Sequence, residues 1–253
     1  MNFPLQIEIN SFSIHLHAIF EALAFFIGFR YFVYLKKKKN DPIKEGNRIW
    51  IMIGATFGAF FFSRLLGALE NPPMFFSTHT PLLYYFSSKT IVGGLLGGLL
   101  GVELIKLAIG EKTSSGDLFL FPLILATIIG RIGCFTSGVY EPTFGIETSV
   151  PWAMNLGDGV SRHPIALYEI IFLILLWMIL IKIQKSNHLK NGVLFQYFMI
   201  GYFLFRFLTD FIKPAHLLPI RLSTIQMACL IGLTYYLKTI YLTFFKPDQI
   251  TYE

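Results

Sequence analysis

The chain has 253 residues, of which 54% are apolar, 17% aromatic and only 14% charged. Soluble domains carry about 25% charged residues, so this composition excludes an ordinary soluble domain. The net charge of +6 would favour nucleic acid only on one soluble face, and its distribution along the chain says otherwise.

A helix needs roughly 20 apolar residues to cross a hydrocarbon core. Seven such stretches are read, at about 14–35, 49–69, 91–109, 117–135, 165–183, 193–212 and 222–245. They leave no room for a separate soluble domain, so residues 1–253 are read as one all-α membrane domain. The segment before the first stretch lacks a basic region and a small-residue cleavage site, so no removable leader is expected.

In the first stretch His17 and Glu21 are four residues apart and share a helix face. Two readings stay open for them: an acid–base pair, or a polar pair satisfied by itself. His15 is placed at the interface. Lys36, Lys37, Lys38, Lys39, Lys44 and Arg48 follow. The second stretch carries Arg64 in its outer half and Gly54 with Gly58. Residues 70–90 mix proline, aromatics and Ser/Thr, as a segment lying at the membrane interface would.

The third stretch, IVGGLLGGLLGVELIKLAI, spaces Gly93, Gly97 and Gly101 four apart. That face suits either a tight helix contact or a wall for a lipid chain. Glu103 is read as pairing with Lys106. The fourth stretch ends in GRIGCF, with Arg131 and Cys134. Cys134 and Cys229 lack metal-ligand spacing and read as buried thiols without a disulfide. Residues 136–164 form the longest polar stretch, expected as a small folded external element. Arg206 and Asp210, four apart in the sixth stretch, are read as a possible mutual pair.

Basic residues fix the expected topology. Fourteen of the twenty-one lie on one side: Arg30, the six after the first stretch, Lys106, Lys112, Lys182, Lys185, Lys190, Lys238 and Lys246. By the positive-inside rule that side is cytoplasmic, which puts the N-terminus outside and the C-terminus inside. Arg64, Arg131, Arg162 and Arg206 then share a similar depth on the other side. Guanidinium matches phosphate with a two-pronged donor set, and a membrane offers that anion as a phospholipid headgroup. Nucleic acid is not expected as a partner, nor is a metal or other cofactor.

These residues carry a family resemblance. Gly130 to Cys134, the polar loop, Arg162-His163-Pro164 and then Leu167-Tyr168-Glu169 resemble prolipoprotein diacylglyceryl transferase, with its G-R-x-G-N-F and R-H-P-x-Q-L-Y-E motifs. Gly201-Tyr202 with Arg206 and Asp210 is similar to the family's G-Y-x-x-x-R-F-x-x-E/D. Leu222-Ser223 with Gln226 resembles its L-S-x-x-Q, and Arg64 falls where it has an arginine at the end of the second helix. The order of these motifs along nearly the whole chain makes the match specific. There are departures. Cys134 stands for the family's asparagine, Val92 for its histidine, His17 for its first-helix tyrosine and Ala166 for its glutamine, and the loop acid is shifted to Glu141.

The resemblance implies transfer of the diacylglyceryl group of phosphatidylglycerol to the lipobox cysteine thiol of a prolipoprotein. The enzyme is expected as a monomer in a bacterial inner membrane, with its site toward the external side. Arg131 and Arg206 are expected to stabilise the leaving phosphate, and His17, oriented by Glu21, or His163 to serve as base. Arg64, Arg162, Tyr202, Asp210, Tyr168, Glu169, Cys134 and Gln226 are expected to contact or frame the substrate. Two rivals are a related transferase with another acceptor, which the altered positions favour, and a non-catalytic lipid-binding or transport protein.

Overall fold

The computed structural model describes residues 3–9, 12–38, 41–114, 116–186 and 189–251. Lys39, counted above with the basic loop, lies outside them. The chain opens on a hairpin of β1 (Gln6–Ile9) and β2 (Phe12–His15), antiparallel with Gln6 opposite His15. Apart from this short element and a two-residue ladder in the loop, the regular structure of the described residues is helical, in keeping with the all-α expectation. Leu5 N–H donates to the Thr136 carbonyl at 2.8 Å, which docks the hairpin at the end of a distant helix.

α1 (Leu16–Lys38) follows directly. Three lysines fill its last turn, where positive charge complements the helix dipole. It packs along α6 (Asp117–Ser137). Phe32 stacks on Phe119 at 4.5 Å between ring centres, and a Cβ on Gly28 would stand 2.9 Å from that of Ala126.

α2 (Glu45–Ala68) pairs in the same way with α5 (Ile91–Ile109). A Cβ on Gly58 would collide with the Gly97 carbonyl, one on Gly97 with the Gly58 carbonyl, and one on Gly101 with the Gly54 carbonyl. The glycine spacing is therefore a backbone-to-backbone helix contact. Beside it runs an apolar groove of about 240 Å³ lined by Phe57, Phe61, Leu100 and Leu104. Between α2 and α5 two proline-started helices, α3 (Pro72–Ser77) and α4 (Pro81–Ser87), bury no residue, as expected of a segment at an interface.

α6 stops at Gly138, whose positive φ of 59° ends the helix. The segment up to residue 164 holds a short ladder, β3 (Met154–Asn155) with β4 (Ser161–Arg162). The expected folded loop element is thus present. α7 (Ile165–Ser186), α8 (Val193–Thr209), α9 (Thr224–Tyr235) and α10 (Leu237–Phe245) complete the molecule. The core lies where α6 to α9 meet, around Leu120, Leu173, Leu180, Phe198, Met199, Tyr202 and Phe203. Many large apolar side chains face outward instead, such as Leu107, 81% exposed, and Phe244, 77%. A lipid solvent accounts for such a surface.

Seven crossings are not all met. Among the described residues five helices are long and apolar enough to span, α1, α2, α5, α6 and α7, and a sixth span results if α9 and α10 count as one across their 55° bend. α8, with 17 residues, covers about 25 Å, short of a roughly 30 Å hydrocarbon core. The basic end of the molecule is pinned by Asp41, which accepts from buried Arg48 Nε at 2.6 Å. Asp117 likewise accepts from the first N–H groups of α8, Gly192 at 2.6 Å and Phe195 at 2.9 Å.

Candidate functional site

The ends of α1, α6 and α8 and the start of α7 that lie away from the basic loops bring ionisable groups together. The first group is buried. Glu169, in the first turns of α7, is 0% exposed and faces Arg131 from α6 and Arg206 from α8. Arg131 Nε is 2.9 Å from Glu169 Oε2, and Arg206 Nη1 donates to the same oxygen at 3.3 Å. Tyr202 donates its hydroxyl to Glu169 Oε1 at 2.6 Å. One carboxylate thus holds two guanidiniums. The Nε–H of Arg206 is buried without an acceptor, which leaves a donor uncommitted for an anion.

Arg206 therefore does not pair with Asp210, as the four-residue spacing suggested. The helix ends between them, at Thr209, and the side chain of Asp210 turns to accept from Ser223 Oγ. Ser223 and Gln226 form a capping box at the start of α9, which assigns Gln226 a local structural task.

Two further ionisable groups, Glu70 and Lys213, feel the charges of Arg131 and Arg206. Burial raises the Glu70 carboxyl above its ordinary range, opposed by the Lys213 ammonium. Burial and then the Arg206 charge lower Lys213. Neither was singled out in the sequence, where both read as loop residues.

The second group is half-buried. A Cβ on Gly133 would stand 2.9 Å from Phe20 Cβ and 3.3 Å from the His17 carbonyl oxygen, so glycine lets α1 approach α6 here. That approach delivers His17 beside Cys134. His17 Nε2 is 3.2 Å from Glu141 and 3.5 Å from Glu21, while its Nδ1 is buried without a hydrogen-bond partner. Lys89 Nζ, from the turn before α5, donates to both Glu21 oxygens at 3.0 Å and lies 3.3 Å from His17 Nε2. Arg131 Nη1 donates to Cys134 Sγ at 3.6 Å, which joins the two groups. Val92 is fully buried in the core and offers no polar atom here. Glu141, which the sequence gives only as the shifted loop acid of the motif, thus joins His17, Glu21 and Cys134, and Lys89 enters the site without any sequence signal.

Arg162, His163 and Tyr168 meet partners in and beside the loop. Arg162 Nε donates to Asp158 at 2.7 Å, and its guanidinium lies over the Phe144 ring at 5.2 Å, so it braces the loop. Hydrogen bonds from Arg162 lower the Asp158 carboxyl. His163 Nδ1 is 3.0 Å from the Tyr168 hydroxyl, which accepts from Trp152 Nε1–H at 2.6 Å. Arg64 sits 5.0 Å over the Phe60 ring, with a buried Nε that lacks a hydrogen-bond partner.

The arrangement resembles known enzymes at the level of the whole chain. The family profile described as "Prolipoprotein diacylglyceryl transferase" matches residues 4–245. Three proteins named phosphatidylglycerol–prolipoprotein diacylglyceryl transferase are similar to the chain. The one from Bordetella parapertussis is 29% identical, over 83% of this chain and 82% of its own. The one from Aliivibrio salmonicida is 30% identical, over 83% and 75%. The one from Campylobacter lari is 27% identical, over 94% and 91%.

Proposed function

Because the chain belongs to the prolipoprotein diacylglyceryl transferase family, we propose that its buried arginine node grips the phosphate of phosphatidylglycerol during diacylglyceryl transfer. The protein is a membrane enzyme that moves a diacylglyceryl group from phosphatidylglycerol to a prolipoprotein. The observation that carries the assignment of the node is that Arg131 and Arg206, from separate helices, share the single carboxylate of Glu169 and leave the buried Arg206 Nε–H uncommitted.

The chemistry follows from that excess of donors. The acceptor is the lipobox cysteine, and its sulfur attacks the glycerol carbon bonded to the phosphate oxygen. As the carbon–oxygen bond breaks, the electron pair stays on the departing glycerol 1-phosphate. Guanidinium groups fixed in a water-poor site stabilise this growing charge without having to reorganise. Glu169 and Tyr202 hold Arg131 and Arg206 in position. Arg64 and Lys213 supply further positive charge for the headgroup, while Arg162, His163 and Tyr168 shape the loop above it. His17 and its neighbours receive the thiol.

The same reading extends to topology. The basic ends of α1, α5 and α7 face the cytoplasm, α8 crosses despite its length, and the node opens to the outer leaflet of a bacterial inner membrane. The chain works as one membrane-embedded domain and as a monomer. Purified protein mixed with phosphatidylglycerol and a lipobox peptide is expected to add one diacylglyceryl mass to the peptide cysteine and to release glycerol phosphate. Release of glycerol phosphate without peptide modification points to another acceptor, and no turnover of either kind removes the reading.

A further inference from the structure

The half-buried group beside the arginine node contains three different metal-ligand types from three separate elements. His17 comes from the start of α1, Cys134 from the end of α6 and Glu141 from the loop that follows it. One donor atom from each lies within 4.8 Å of the other two. A tetrahedral zinc ion holds its ligands roughly 3.3–3.8 Å apart, and the 3.2 Å between His17 Nε2 and Glu141 Oε1 is already close to that spacing.

We propose that His17, Cys134 and Glu141 form a three-ligand zinc site whose fourth position takes the acceptor thiol. Three protein ligands with one open position is the pattern of catalytic rather than structural zinc. Charge supports the assignment. A Cys134 thiolate and the Glu141 carboxylate balance a divalent ion, and Glu21 remains to balance Lys89, which it holds at 3.0 Å. Lys89 Nζ, 3.3 Å from His17 Nε2 and 3.7 Å from Glu141, touches two of the three ligands, and ion binding requires it to withdraw onto Glu21, its partner at 3.0 Å. His17 Nδ1, buried without a partner, leaves either ring nitrogen available to the ion.

The inference rests on the transferase reading and adds a source of nucleophile to it. A thiol that coordinates zinc gives up its proton, here to water at the open side of the cluster. The bound thiolate sulfur forms a bond to the glycerol carbon. The carbon–oxygen bond to the phosphate breaks, and the departing oxygen keeps its electron pair, facing Arg131 and Arg206. The sulfur becomes a thioether, a weaker ligand, and leaves the ion. Arg131, whose Nη1 reaches Cys134 Sγ at 3.6 Å, ties the thiol side of the reaction to the phosphate side. Two motif departures noted in the sequence, cysteine for asparagine and histidine for tyrosine, supply two of the three ligands.

The test uses the full chain purified in detergent, stripped with a chelator and titrated with Co²⁺. One equivalent is expected to bind with a thiolate-to-cobalt charge-transfer absorption and tetrahedral d–d bands, both bleached by Zn²⁺. The charge-transfer band is expected to vanish in Cys134→Ser and persist in Cys229→Ser. The d–d bands are expected to change in His17→Gln, which guards against a cysteine variant that fails to fold. A lipobox peptide is expected to raise the charge-transfer intensity, while its serine analogue leaves it unchanged. Absence of the band in the unaltered protein, or its persistence in Cys134→Ser, overturns the site. Full peptide modification by stripped protein overturns the zinc role and leaves the transferase reading standing. A cobalt site that responds to peptide thiol, in a protein that never modifies the peptide, supports the metal site and sinks the transferase reading.

Discussion

Arg131 and Cys134, one helical turn apart on α6, are joined by an N–H···S contact of 3.6 Å, and through it a buried arginine–glutamate node touches a half-buried histidine–carboxylate cluster. Arg131 is thus the residue common to both. Arg131→Ala is expected to reduce kcat/KM for lipid transfer by at least roughly 100-fold, the scale of losing one preorganised donor at a developing anion. Arg131→Lys keeps the charge but loses the planar fork, and is expected to recover only a small part of that rate. Peptide mass spectrometry with phosphatidylglycerol as donor measures both.

Glu169 is the only carboxylate within ion-pair distance of Arg131 and Arg206 among the described residues. Glu169→Gln keeps the shape and removes the charge, leaving two guanidiniums side by side without a partner. Breaking a buried ion pair by removing one member costs roughly 3–5 kcal/mol. The variant is expected to melt at a lower temperature in detergent, and to regain part of that loss when an anionic lipid is added. A melting temperature indifferent to anionic lipid would argue against headgroup binding at the node.

The α2–α5 contact gives a prediction independent of chemistry. Gly97 and Gly58 each pack against the other's carbonyl with no space for a Cβ. Gly97→Leu forces the helices apart, and overpacking of a tight interface costs about 1–3 kcal/mol or more. Gly94, whose nearest neighbour would be 3.8 Å from an added Cβ, is expected to accept alanine with little change in thermal stability.

These contacts also show what can be read before the structure is known. The glycine ladder of α5 is legible because helical spacing alone puts Gly93, Gly97 and Gly101 on one face. His17 with Glu21 is legible for the same reason. Lys89 is not, because it stands 68 residues from Glu21 and reaches it only through the packing of α5 against the other helices. Glu141 reads as a loop acid until the approach of α1 to Gly133 brings His17 beside it. Arg206 with Asp210 reads as a possible pair because four-residue spacing assumes a continuous helix, and α8 ends between them. The hairpin was passed over although Ile7 and Ile9 alternate with polar residues, as Phe12 and Ile14 do. Such short alternation beside a long apolar run is easily absorbed into the helix that follows.

Glu70 is expected to make lipid binding depend on pH. Burial raises its carboxyl above the ordinary range, opposed by Lys213. A raised carboxyl stabilises the folded protein below its unfolded value, and that contribution is lost as pH rises through the folded value. Below the raised value Glu70 is neutral, so Lys213 and the arginines face the headgroup with more positive charge. Above it the carboxylate competes for the same cations. Affinity for phosphatidylglycerol vesicles is therefore expected to fall as pH rises through the raised Glu70 value. Glu70→Gln is expected to bind at a level that no longer changes across that window.

His163 and His17 were both candidates for the base, and their surroundings separate them. His163 Nδ1 meets the Tyr168 hydroxyl at 3.0 Å, and Trp152 donates to that hydroxyl at 2.6 Å, so the ring is one link in a chain that fixes the loop to α7. Losing such a hydrogen bond costs about 1 kcal/mol. Tyr168→Phe and His163→Gln are each expected to lower stability by roughly that amount and to slow transfer by less than about tenfold, the scale of disturbed positioning. His17, by contrast, touches Glu21, Lys89 and Glu141 at once. His17→Ala is expected to lower kcat by roughly 100-fold or more with little change in KM for the lipid, as for a group that acts on the nucleophile rather than on the headgroup. The decisive measurement is the kcat and KM of the two histidine variants side by side. If His163→Gln loses more in kcat than His17→Ala, the thiol is activated in the loop, and the cluster around Cys134 has no part in the chemistry.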